Sequence, residues 1–435
     1  MDLPNIAVII VDTLRRDSIS PYSNEASTPN IKNLSEISSV SFRAYSSSTW
    51  TVPAHASLWT GDLPSVHGVH QRRSIKDFQL FGAMNKVLEK RLPLVLKEKG
   101  YNTVGISTNP HLSFKSGFES GFNHFTYLDP QLKSSGIRNQ EEEFISKYGS
   151  LKGIVRKSVT KLDFNELRKY RELYGQLKSL REVTKYPKNK GSMMMMNIIE
   201  DSHMETPFFL FINLMEMHEP YSLKEMRRVN FNSIMRNYLD HSGIGSDIVD
   251  EIRKNYNDET KVVDSFIGSF IDFLKRNGTF DNTLIVLTSD HGQDLFENGF
   301  YGHGVFPSEE VLRIPLFVKA PKGLKQVKFE GFQNLKDVYH YLSGVDEGLE
   351  PDILNNAHNI SESFGSFHDL SGIPEDALND IERTVSVVHS GEVRGTVDRS
   401  TNRLIDLREI NTFKQVTSEK PKDEVLNIYR EFYNE

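Results

Sequence analysis

Leu284-Ile285-Val286-Leu287-Thr288 runs without a polar break into Ser289-Asp290-His291-Gly292. A short apolar run bounded by Asn282 and Gly292 predicts a strand buried on both faces. Such strands belong to parallel sheets covered by helices on each side, not to half-solvated antiparallel ones. In those sheets ligands bind beyond the carboxyl ends of the strands, and Asp290 and His291 stand at that end. One offers a hard oxygen and the other an imidazole nitrogen, together half of a metal site. The plain alternative is a strand-ending Asp that caps a turn beside an incidental His.

The same texture recurs. Ile6–Val11, Asn102–Ser107 and Phe208–Leu214 read as further strands, alternating with helical patterns near Pro29–Ser39 and Leu92–Lys99. A helix carrying Val262, Val263, Phe266, Ile267, Phe270 and Phe273 precedes the 284–288 strand. Strands alternating with helices predict an α/β fold, a doubly wound and mostly parallel sheet flanked by helices. Residues 131–200 differ: over Gln131–Lys190 apolar residues are sparse and Lys, Arg, Glu and Ser dense, which predicts a helical insertion, either a cap or a solvated decoration. Met193–Met196 open a helix there as core packing. Asp346–Asn379 looks loop-rich. Thr384–Val388, Val393–Val397 and Leu404–Leu407 predict short antiparallel strands, and Glu424–Tyr433 a final amphipathic helix. The expected division is a catalytic domain over 1–375 and a small C-terminal antiparallel subdomain over 376–435.

The 435 residues suit one large α/β domain with an appendage. Against 59 acidic residues stand 52 basic ones, a net charge of −7, which argues against a nucleic-acid partner. No cysteine is present, so no disulfide, thiolate nucleophile or cysteine-ligated metal is available. No apolar run reaches the ~18–20 residues of a membrane span, and the six apolar residues at the start are too few for a secretory leader. A cytoplasmic location is the expectation.

Asp12 ends the first strand as Asp290 ends the later one. If those strands are neighbours, two carboxylates and a His face one crevice and would hold a divalent cation; helix capping is the alternative for Asp12. Thr51 stands before Pro53 where a helix opens, in a stretch dense in hydroxyls. A hydroxyl at a helix start beside a metal is placed to attack an anionic ester, although Ser and Thr before helices are also ordinary caps. Arg15 is a candidate for bidentate binding of a substrate anion, with a solvated arginine as the alternative. Asn109 and His111 follow a strand and are candidates to line the crevice. Trp50 and Trp59 read as packing, and Asp264 as a helix-surface or capping residue.

Val11-Asp12-Thr13-Leu14-Arg15, Thr28-Pro29-Asn30-Ile31, Thr51-Val52-Pro53-Ala54-His55-Ala56-Ser57-Leu58-Trp59-Thr60-Gly61 and Pro64-Ser65-Val66-His67-Gly68-Val69 resemble the N-terminal half of the sulfatase family of the alkaline phosphatase superfamily. Met215-Glu216-Met217-His218-Glu219-Pro220-Tyr221, Thr288-Ser289-Asp290-His291-Gly292, Gly302-His303-Gly304 and Leu312-Arg313-Ile314-Pro315-Leu316 resemble its later segments, in the family's order and over about residues 5–320. The resemblance implies Asp12, Thr51, Asp290 and His291 as metal ligands and Thr51 as nucleophile. It implies His218 and His303 as catalytic groups near the leaving group, with Glu216 a carboxylate just before. His55, at the place of a family Arg, would bind substrate together with Arg15 and Asn109.

Three departures bear on the chemistry. Sulfatases carry a Cys or Ser oxidised to formylglycine where this chain has Thr51, and a secondary alcohol cannot yield that aldehyde. Thr13 replaces the second Asp of the family's pair. Val305-Phe306-Pro307 stand where the family has a Lys. Thr51 instead resembles the threonine nucleophile of the phosphodiesterase and phosphoethanolamine transferase branches. The expectation is a metal-dependent hydrolase of sulfate or phosphate esters working through a covalent Thr51 intermediate on a small-molecule or glycan ester. A phosphodiesterase or phospho-group transferase is the near alternative, and a degenerate binding or scaffold protein the distant one. Three oxygens and one imidazole favour zinc or manganese over calcium. A second metal would draw on Glu216, His218 and His303, although Leu214 stands where two-metal relatives place the Asp of an Asp-x-x-x-His pair.

Overall fold

The computed structural model describes residues 3–71, 82–128, 190–202, 204–219, 221, 245–344, 348, 350–366 and 382–434. The expected helical insertion lies outside them except for its end, where Ser192–Asp201 is a helix. In chain order the strands are β1 Asn5–Val11, β2 Ser39–Ser41, β3 Ala44–Tyr45, β4 Asn102–Ser107, β5 His124–Tyr127, β6 Phe208–Leu214, β7 Thr283–Thr288, β8 Asp294–Leu295, β9 Tyr301–Gly302, β10 Leu316–Lys319, β11 Gln333–Asn334, β12 His358–Phe364, β13 Thr384–Ser390, β14 Val393–Asp398 and β15 Arg403–Glu409. A seven-stranded sheet runs in the order β2-β10-β7-β1-β6-β4-β5. The five strands from β7 to β5 are mutually parallel, and β10 runs antiparallel to both β7 and β2.

The continuous apolar runs are explained by two cores, one on each face. Ala7, Ile9 and Val11 join Leu210, Ile212, Ile285 and Leu287 beneath the helix Ser246–Arg276, which contributes Val263, Phe266, Ile267 and Phe270. Ile6, Val8 and Ile10 join Phe209, Phe211, Leu284 and Val286 against the helices Thr51–Thr60 and Leu92–Glu98. With side chains alternating along a strand, both parities must be apolar when both faces are covered. All ten residues of the Thr51–Thr60 helix are buried. Trp59 stacks on Phe118 at 5.2 Å and meets Phe211 edge-on at 4.8 Å. Truncating such an indole costs about 3–5 kcal/mol, so packing fixes the helix that begins with Thr51. Asp264 accepts hydrogen bonds from Ile31 N and Asn30 Nδ2 at the start of the Pro29–Glu36 helix, the capping role expected of it.

Register levels the strand ends. Ile10 of β1 lies opposite Thr288 of β7, and Val11 opposite Leu214 of β6. The segments leaving β7, β1, β6 and β4 therefore emerge side by side at one edge of the sheet.

The second sheet is antiparallel, β12-β13-β14-β15, with Val425 and Tyr429 of the helix Glu419–Tyr433 packed on Val388, Val397 and Leu407. Its last three strands match the expectation. Its first, β12, falls in the stretch read as loop-rich and ahead of the expected boundary at 376, which itself lies outside the described residues. Asn359, Ser361 and Ser363 are buried on β12 and blur the apolar alternation by which a strand is recognised. They are buried because they hold the two parts together. Ser361 Oγ donates to Ser46 O at 2.6 Å, Ser48 Oγ to Glu362 O at 2.9 Å, and Glu362 N to Ser47 O at 2.9 Å. The second sheet thus braces the segment that leads into Thr51.

Candidate active site

The first two ligand candidates meet because β1 and β7 are neighbours. Ser289 staples their ends: its Oγ lies 2.7 Å from Val11 O and 2.5 Å from His291 O, and accepts from Leu14 N at 3.0 Å. Thr13 takes a left-handed backbone, φ 57°, unusual for a β-branched residue. Its amide is thereby turned to Asp290 Oδ1 at 3.4 Å. Gly292 leaves no room for a side chain, since a Cβ there would strike the carbonyl oxygen of Glu310.

Asp12, Asp290 and His291 are fully buried, and Thr51 is 2% exposed. His291 Nε2 lies 3.4 Å from Asp290 Oδ2, 3.9 Å from Asp12 Oδ1 and 3.5 Å from Thr51 Oγ1. Thr51 Oγ1 donates to Asp12 Oδ2 at 3.4 Å. Asp12 Oδ1 and Asp290 Oδ2 are buried with no hydrogen-bond partner. Buried carboxylate oxygens without donors are costly, and a cation among them would remove that cost. Three acidic or imidazole ligands within 4.8 Å of one another, with a hydroxyl alongside, fit a divalent ion. His291 Nδ1 faces Gly292 O at 2.9 Å, so Nδ1 carries the hydrogen and Nε2 presents its lone pair, the usual state of a metal-binding histidine.

The electrostatics agree. Burial first, and then Asp290, raises the Asp12 carboxyl to about 6. Burial raises Asp290 to about 7 against three backbone hydrogen bonds. Burial lowers His291. The cluster resists carrying uncompensated charge, as an enclosed cation cradle does.

Each of the three expected substrate-binding residues has partners inside the protein. The Arg15 guanidinium makes two hydrogen bonds to Asp17, at 2.9 and 2.6 Å, and one to Glu297 at 2.7 Å, so its charge is spent inside the protein rather than turned to the crevice. His55 is wholly buried one turn into the Thr51 helix, its Nδ1 2.9 Å from Thr51 O and 3.6 Å from Asp290 Oδ2. Burial lowers it to about 3, so it is a neutral support behind the site. Asn109 Nδ2 donates to Asp12 Oδ2 at 2.6 Å and lies 3.5 Å from Thr51 Oγ1.

His218 and His303 do reach the crevice. The rings of His303 and His291 are 4.5 Å apart, and those of His218 and His303 5.0 Å. Burial opposes charge on His218, but Glu219 and Asp12 outweigh it and raise its pKa. Glu216 does not join them. Its Oε1 accepts from Ser192 N at 2.8 Å, serving the start of the Ser192–Asp201 helix. The carboxylate beside the two imidazoles is Glu219, 3.6 Å from His218 and 3.9 Å from His303. Glu219 and its partner Gln293 were missed in the sequence. Glu219 lies inside a recognised motif, next to His218, and Gln293 directly follows another; adjacency was the available signal. Lys190 Nζ donates to the carbonyls of Glu216 and His218 and fixes their loop.

A family model for Sulfatase matches residues 4–345. The arylsulfatase of Clostridium perfringens is 22% identical over 363 residues, covering 77% of this chain and 73% of its own. The N-acetylgalactosamine-6-sulfatase of Rattus norvegicus is 22% identical over 67% of this chain, which spans only 50% of that enzyme. Among solved structures, the phosphonate monoester hydrolase of Silicibacter pomeroyi superposes with a TM-score of 0.66 at 15% identity, over 99% of this chain and 94% of the other. Among the described residues no helix is long and apolar enough to cross a membrane. The chain belongs to the Sulfatase family and is, at the level of that family, a sulfatase-like ester hydrolase.

Proposed function

We propose that this chain cleaves a sulfate or phosphate ester of a small molecule or glycan by direct attack of Thr51. The observation that carries this is the convergence of the unpartnered oxygens of Asp12 and Asp290 on the side of the crevice where Thr51 Oγ1 lies. Asp12, Thr51, Asp290 and His291 would hold the cation. When bound, a divalent ion of the zinc or manganese type lowers the hydroxyl's pKa and neutralises charge on the ester. Thr51 Oγ1, its proton released to water as the hydroxyl ionises, forms the new bond to sulfur or phosphorus while the bond to the departing alkoxide breaks. Asn109 and Asp12 hold the hydroxyl in line, and packing of the Thr51–Thr60 helix keeps it there. His218 in its cationic form, beside His303, gives the leaving oxygen a proton. Water, giving a proton back to the now neutral His218, then attacks the covalent ester and frees Thr51; an alcohol in its place would make the reaction a transfer. Thr51 cannot become an aldehyde, which favours direct displacement and leaves phosphoric esters as substrates alongside sulfuric ones.

The test is a panel of nitrophenyl sulfate, phosphate monoester and phosphodiester substrates with the manganese-loaded protein. At least one is expected to turn over with metal dependence. Thr51→Ala is expected to lower that rate by about 10³-fold or more with an unchanged melting curve. Full activity in Thr51→Ala would sink the nucleophile assignment, and no metal-dependent hydrolysis of any class would favour a binding protein.

A further inference from the structure

His218, Glu219 and His303 offer ligand atoms within 4.8 Å of one another, an arrangement that invites a second cation beside the first. The hydrogen bonds of the two rings argue otherwise. His218 Nδ1 lies 2.8 Å from the carbonyl oxygen of Glu219. A carbonyl only accepts, so this nitrogen carries hydrogen. His303 Nδ1 lies 2.7 Å from Gln293 Oε1. The amide of Gln293 is buried, and its Nε2 donates to Glu219 Oε2 at 3.1 Å. A carboxylate also only accepts, which fixes the amide with its nitrogen on Glu219 and its oxygen on His303. His303 Nδ1 therefore carries hydrogen too.

The ring atoms that approach Glu219, at 3.6 and 3.9 Å, are these two Nδ1 atoms. Neither has a lone pair to share with a cation held by the carboxylate. In its neutral form each ring then keeps its lone pair on Nε2, as His291 does through Gly292 O. In the Asp12 cluster, by contrast, the carboxylate oxygens nearest the crevice have no donor.

We propose that Glu219 and Gln293 are positioning residues: they lock His218 and His303 in the tautomer that presents Nε2 to the ester, and they are not ligands of a second metal. The inference rests on the reading above for the ester, but its structural half needs no substrate. Outer partners of this kind typically contribute about 10–100-fold to activity.

The experiment uses the full chain loaded with manganese. Elemental analysis is expected to give one equivalent per chain, unchanged in Glu219→Gln. Long-range ¹H–¹⁵N spectra of histidine-labelled protein are expected to place hydrogen on Nδ1 of both rings, with His303 becoming a tautomer mixture in Gln293→Met. Where an active substrate is known, both variants should lose about 10–100-fold, more with an alkyl leaving group than with nitrophenolate. Glu219 is partly exposed, so Glu219→Gln serves if the buried Gln293→Met does not fold. Two equivalents of manganese in the parent protein with one lost in Glu219→Gln would overturn the proposal, as would hydrogen on Nε2 of neutral His303. If the protein takes up no metal, or Thr51→Ala stays active, the metal-assisted attack by Thr51 is ruled out while the tautomer spectra still decide the roles of Glu219 and Gln293.

Discussion

Two clusters of carboxylate and imidazole lie side by side in this crevice, and they are built on opposite plans. Asp12, Asp290 and His291 sit at the level strand ends, fully buried, with two carboxylate oxygens that no donor reaches. His218, Glu219 and His303 stand at the rim, where Glu219 is 24% exposed and its Oε2 already receives the Gln293 amide. Proximity of ligand atoms is common to both. The difference is the state of the lone pairs: one cluster leaves oxygens waiting for positive charge, whereas in the other the Glu219 carboxylate orients Gln293 to hold the hydrogen on His303, and the Glu219 backbone carbonyl holds the one on His218. Counting acidic and imidazole groups within reach cannot separate a cation cradle from an orienting relay, whereas following each donor to its acceptor can.

The sharpest way to break the comparison is to remove a carboxylate from the buried cluster. Asp290→Asn keeps the shape and replaces an anionic ligand with a neutral one. The expected result is loss of stoichiometric manganese together with at least about 10²-fold in any metal-dependent turnover, read by elemental analysis and initial rates. Retention of metal in Asp290→Asn would erase the distinction drawn between the clusters.

A second test uses pH. The carboxyls of Asp12 and Asp290 are raised in the folded protein, to about 6 and about 7, against roughly 3.9 when unfolded. A raised carboxyl stabilises the fold fully below its unfolded value and loses that contribution as pH climbs through its folded value. The metal-free protein should therefore lose stability between about pH 4 and 7. A cation requires both carboxylates ionised, so excess manganese should raise the melting temperature more at pH 7.5 than at pH 5.5. An equal rise at both would show that protons and metal do not compete at these two groups.

A smaller effect belongs to Asn109. Asn109→Ala removes the donor to Asp12 and Thr51 and leaves the rim cluster untouched. Metal affinity or turnover should fall by about 10-fold, measured by manganese titration and kcat. Because Asn109 is buried, a loss of about 1–2 kcal/mol in stability is also expected, to be read from denaturant melts. An unchanged metal titration would reduce Asn109 to a packing residue.

Much of this was legible along the chain. β1, β6 and β7 were readable because strands covered on both faces must be apolar at both parities. Asp12, Thr51, Asp290 and His291 were readable because a few residue types in a fixed order recur across the family. β12 was not, since its serines and asparagine are buried as cross-links to residues 46–48 and 334, and a sequence shows polarity but not the partner that satisfies it. The ion pair of Arg15 with Glu297 was not legible for the same reason, the two residues being 282 positions apart. The burial of His55 was not legible because a position on the helix does not say which way the first turn faces; its ring packs against Phe118 and Phe211.

What the sequence determined by itself is the class of fold, the order of its parts and the residues that meet at the strand ends, because hydrophobic period and local motif are properties of the chain. What only the tertiary structure decided is the assignment among those residues: which carboxylate lacks a donor, which nitrogen holds a hydrogen, and that Glu219 rather than Glu216 serves the two imidazoles. Those are properties of hydrogen bonds between segments brought together by the sheet, and a hydrogen goes to whichever acceptor the fold places nearest.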